Sequence, residues 1–85
     1  MKMSSELSRL VRELEHIATG IHFLSTSLEY LVELIDRELE KIGGEDQRRK
    51  ARAEINRDRL KAIIRESREL VRTIHYVLGC LHELL

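Results

Sequence analysis

Leu7, Leu14, Ile21, Leu28, Ile35 and Ile42 recur every seven positions, and Leu10, Ile17, Leu24 and Leu31 recur with them three positions on. Only Glu38 breaks the second row. This three-four alternation keeps one side of an α-helix turned toward a partner helix; a strand would scatter the same residues over both faces. The spacing predicts a first helix over about residues 5–42, about 58 Å long at 1.5 Å per residue. Ser4 or Ser5 is expected to cap it, with Glu6 placing negative charge in its first turn. Gly43-Gly44 is expected to end it with a left-handed stop.

Residues 43–45 then read as a turn, and a second helix is expected over about 46–85. Glu45-Asp46 restarts the chain with the acidic charge a helix N-terminus prefers. Gln47–Lys61 is rich in Arg, Lys, Ala and Glu, and Ile55 and Leu60 are its only sizeable apolar residues. From Leu60 onward the apolar face widens to three rows: Leu60, Ile74 and Leu81 with Ser67 as a gap; Ile63, Leu70, Val77 and Leu84; and Ile64, Val71, Leu78 and Leu85. Three rows suit a bundle core better than a two-stranded coiled coil.

A hairpin closed tightly at Gly43-Gly44 does not balance. Leu31, Leu34, Ile35, Leu39 and Ile42 would face Arg57, Asn56, Ala53 and Arg49, which cannot cover them. Two helices of this size also bury too little surface to stand alone. The fold expected is therefore all-α: an antiparallel two-helix hairpin that self-associates into a four-helix bundle, with a homodimer as the simplest case. The interface expected from the pattern comprises Leu14, Ile17, Ile21, Leu24, Leu28, Leu31, Ile35 and Leu39 on the first helix. On the second it comprises Ile74, Val77, Leu78 and Leu81.

Composition narrows the function classes. Fifteen basic and fifteen acidic residues cancel, so no global field draws the chain to nucleic acid or anionic lipid. The basic run Gln47–Arg52, with Arg57, Arg59 and Lys61, is interleaved with Glu45, Asp46, Glu54 and Asp58 and reads as a solvated helix face. The single Cys fits a reducing compartment, and no signal peptide or membrane span is read, so the chain is expected to be soluble and cytoplasmic. Even heptads, balanced charge and the absence of Pro and Trp are compatible with a designed origin; the irregular Gly, His and Thr residues are not those of an idealised design.

Two stretches lack charge on every helical face: Ile17–Leu28 and Thr73–His82. Such bands are usually buried all round. Each contains a mid-helix glycine, Gly20 and Gly79, which costs about 1 kcal/mol relative to Ala and so calls for a packing or ligand-binding reason. In or beside the bands stand His16, His22, Ser25, His75, Cys80 and His82, the candidates for a buried polar network or a ligand site. A network containing neutral buried histidines would tie assembly to pH. Neither histidine pair has the spacing by which two ligands on one helix share a metal. Glu13-x-x-His16 matches half of a di-iron bundle motif, but Arg72 stands where the second Glu would be. No cofactor is expected. For the hydroxyl side chains of Thr19, Ser25, Thr26, Ser27 and Thr73, the simpler alternative is local bonding to the preceding turn.

Arg68 and His75, with six residues between them, resemble the Arg-x4-6-His signature of HEPN-type ribonucleases. The resemblance covers eight residues and implies a helical, dimeric nuclease acting through that pair. Leu39-x-x-Ile42-Gly43 resembles a BH3 segment, but Gly44 stands where that motif has an acidic residue. The expectation carried forward is a non-enzymatic assembly or partner-binding module that acts as a homo-oligomer. The alternatives are a bundle-core ligand or metal site (haem, zinc) and a HEPN-like ribonuclease.

Overall fold

The computed structural model describes the backbone of residues 2–85 and the side chains of residues 5–85. It contains two helices, α1 (Lys2–Lys41) and α2 (Gln47–Leu84), packed against each other. The Cα envelope measures 69 × 14 × 13 Å, so the molecule is a rod two helices across with no third layer. No helix among the described residues is long and apolar enough to cross a membrane.

α1 begins ahead of the expected cap. Ser5 lies within the helix, and the side chain of Ser4 lies outside the described residues. At the other end, none of the described glycines adopts a positive φ, so the expected left-handed stop is not used. The chain turns instead through Ile42 N–H donating to Leu39 O (3.3 Å) and Asp46 N–H donating to Gly43 O (3.2 Å). Asp46 stands at the N-cap of α2 without a side-chain capping bond, and Gln47 Nε2 donates back to Gly44 O at 2.9 Å.

The register differs from that of a tightly closed hairpin. Three polar contacts bridge the helices: the ion pairs of Arg57 with Asp36 at 3.1 Å and of Arg68 with Glu29, and the approach of His82 Nε2 to Glu15 at 3.7 Å. A tight closure would have set Asp36 opposite Arg52, more than one helical turn short of where it lies. Asp36 is five residues from the end of α1, whereas Arg57 is ten from the start of α2. α2 therefore begins about five residues, or roughly 8 Å, beyond the end of α1. The reason is the connection: Ile42–Asp46 continues past the end of α1 before α2 starts back. This shift brings the start of the second uncharged band level with Ile17–Ile21, where a tight hairpin would have kept the bands apart.

The seam between the helices is not the pair of rows that stands out in the sequence. On α1 the buried row is Val11, Ala18, Ser25, Val32 and Leu39, four positions beyond the Leu7–Ile42 row, whose members are half-buried, and one beyond the Leu10–Leu31 row. On α2, Ile64, Ile74 and Leu78 are buried, with Leu60, Ser67, Val71 and Leu81 half-buried around them. Val11, Ala18, Ile74 and Leu78 form the central cluster, flanked by Leu14, Ile21 and Leu81. Small side chains at positions 18 and 25 let the helices approach closely, which is why this row, and not the bulkier Leu10–Leu31 row, faces α2.

Candidate protein-interaction surface

Packing through these rows leaves a complete apolar row of each helix uncovered. On α1 it is Leu10, Ile17, Leu24 and Leu31, between 46% and 55% exposed. On α2 it is Ile63, Leu70, Val77 and Leu84, between 40% and 72% exposed. The polar contacts between the helices fix where these rows lie. Glu15, Glu29 and Asp36 occupy the flank of α1's buried row away from its half-buried row, and Arg68 and His82 the matching flank of α2. Because Arg68–Glu29 and His82–Glu15 close across one side of the rod, both uncovered apolar rows emerge together on the opposite side. The hairpin is amphipathic as a unit, with one ionic side and one apolar side.

Register orders the apolar side into layers. Leu10 is about level with Leu84, Ile17 with Val77, Leu24 with Leu70 and Leu31 with Ile63. The next layer toward the turn is polar, Glu38 with Asn56. At that end Leu31, Leu34, Ile35, Glu38, Leu39 and Ile42 line an open groove with Arg49, Ala53 and Leu60.

Of the interface expected from sequence, Leu39, Ile74 and Leu78 are buried within the hairpin. Leu14, Ile21, Leu28, Ile35 and Leu81 are half-buried, and Ile17, Leu24, Leu31 and Val77 are exposed. Val11, Ala18 and Val32 belong to the intrachain seam and were absent from the expected rows; their seven-residue spacing was the available signal.

The candidate polar residues are not gathered into one place. His16, His22, His75, His82 and Cys80 are all exposed. The serine and threonine hydroxyls bond locally, each donating to the carbonyl four residues back: Thr19 to Glu15 and Ser25 to Ile21 at 2.9 Å, and Thr26 to His22, Ser27 to Phe23 and Thr73 to Glu69 at 3.1 Å. Glu13 pairs with Arg9 at 3.5 Å. Among the described residues no three His, Cys, Asp or Glu side chains are grouped closely enough to hold a metal ion. Arg68 and His75 share a face of α2 two turns apart, about 10 Å along the axis, and Arg68 is engaged with Glu29. Arg57 is held charged chiefly by its hydrogen bond to Asp36, which raises its pKa above the ordinary guanidinium range. Nothing lies within 4 Å of a Cβ built on Gly20 or Gly79, so neither glycine is required by helix contact within the hairpin.

No family model, curated protein or solved structure matches the chain.

Proposed function

We propose that the chain is a homo-oligomerisation module without catalytic activity, in which two hairpins join their apolar sides to make a four-helix bundle. The observation that carries this reading is the single-sided face of Leu10, Ile17, Leu24 and Leu31 with Ile63, Leu70, Val77 and Leu84. Monomeric proteins rarely leave so long an apolar patch open, and patches of this kind mark association surfaces. Area supports a second copy as the occupant. The chain exposes 6987 Å², where a compact chain of 10.0 kDa exposes about 5,200 Å². The excess, roughly 1,700 Å², exceeds the approximately 800 Å² each partner contributes to a stable interface of standard size. The ionic side, already paired within the chain, stays in water.

Sedimentation equilibrium at micromolar concentration tests the proposal. The expected result is a particle of twice the chain mass or a higher closed multiple. A folded monomer would overturn the assembly reading.

A further inference from the structure

We infer that the second copy docks antiparallel, α1 lying on the partner's α1, with the two-fold axis crossing between Ile17 and Leu24 beside Gly20. This rests on the association proposed above and adds its geometry. Two symmetric ways of joining the apolar sides exist. In the parallel one, turns lie at the same end, each layer meets its own copy, and the Glu38–Asn56 layer of one chain meets that of the other. Two Glu38 carboxylates then enter one layer of the bundle, where like charges repel and desolvation is costly.

In the antiparallel arrangement the chains slide by one heptad, about 10 Å, so that the four apolar layers of one chain lie on the four of the other. Leu10 meets the partner's Leu31, and Ile17 meets the partner's Leu24. The two Glu38–Asn56 layers then lie at opposite ends of the bundle, with Glu38 level with the first turn of the partner's α1 and the turn beyond it, so each Glu38 carboxylate meets no second Glu38 and keeps its ion pair with Lys41 at 3.2 Å. The polar break in the α1 row thereby marks the end of the interface.

A second, independent observation places the axis. The midpoint of the four layers falls between Ile17 and Leu24, and Gly20 stands there, on the turn beside the exposed row. Within the hairpin nothing approaches Gly20, yet a glycine in mid-helix is unfavourable. Antiparallel crossing at that point brings the partner's α1 against it and gives the missing side chain a reason. The uncharged band Ile17–Leu28 straddles the same axis, so two copies of it meet.

Spin-label distances in the full chain discriminate the arrangements. Arg37→Cys, labelled in a Cys80→Ser background, sits on an exposed position about 16 residues from the proposed axis. Antiparallel docking predicts a separation of about 50 Å between labels, from 1.5 Å per residue. Parallel docking predicts less than about 35 Å, from helices 8–10 Å apart. A dimer with the short distance would overturn this inference and leave the association standing; a monomer would overturn both. Gly20→Leu supplies a second readout. The hairpin has room for the side chain, so helicity by circular dichroism should hold while the dimer dissociation constant rises at least tenfold. An unchanged constant would remove Gly20 from the axis and overturn the placement.

Discussion

Ser25 is the one polar side chain found buried among the described residues, at 3% exposure. It fills the place of an apolar residue in the Val11–Leu39 row because its hydroxyl is satisfied by Ile21 O. Replacing it with Ala removes the hydroxyl together with its need for a partner and improves helix propensity. Ser25→Ala should therefore be neutral or stabilising by up to about 0.5 kcal/mol, read as the urea midpoint. Val32 occupies the same row without such freedom. Val32→Ala leaves a gap between the helices and should cost about 2 kcal/mol in the same measurement. Arg57 contributes differently. A raised pKa gives stability that is complete below the unfolded value and is lost only as pH rises through the higher folded one. That window lies in strongly alkaline solution, so the Arg57–Asp36 contact adds no guanidinium titration near neutrality.

At the scale of the elements, the helices divide the work unequally. α1 has a buried residue in each heptad from Val11 to Leu39, so its packing extends along nearly its whole length. In α2, burial begins at Ile64; before it, Ala53 and Leu60 are half-buried and Ile55 is 53% exposed. The start of α2 also overhangs the end of α1 and lacks a side-chain cap. Hydrogen exchange should accordingly be faster in residues 47–52 than in 64–81, with protection rising along the helix. Equal protection across both stretches would mean that something besides α1 covers the first turns. Gly79 gives a cleaner test of helix propensity than Gly20, because it lies off the proposed axis with open space around it. Gly79→Ala should stabilise the protein by about 1 kcal/mol in thermal or urea unfolding.

The molecule as a whole is a rod whose two long sides differ in chemistry, and that difference predicts how it responds to charge. Leu24→Asp places a carboxylate in the middle of the apolar side. It should dissociate the assembly at micromolar concentration, seen by sedimentation, because burying an unpaired charge is far costlier than leaving it in water. The same change on the ionic side, such as Thr26→Asp at an exposed position, should leave the oligomeric state unchanged. A Leu24→Asp protein that sediments as the parent does would place the association surface elsewhere.

The seven-residue rows from Leu7 to Ile42 and from Leu60 to Leu85 were sufficient to determine two long helices joined near Gly43-Gly44, because periodicity is a local property of a chain. The same rows showed that more apolar surface exists than two helices can share. They did not show which row each helix gives to the other. Leu10, Ile17, Leu24 and Leu31 are the larger residues and stand out in the sequence, but the smaller row through Ala18 and Ser25 allows the closer approach and takes the intrachain seam. Only packing decides this, since close helix approach depends on the shapes of two facing surfaces at once. Register was equally hidden. The course of Ile42–Asp46 offsets α2 along α1, and the pairings Glu15–His82, Glu29–Arg68 and Asp36–Arg57 exist only once that offset is fixed. Those pairings in turn determine that the two uncovered rows share a side, a relation between distant residues that no local pattern contains.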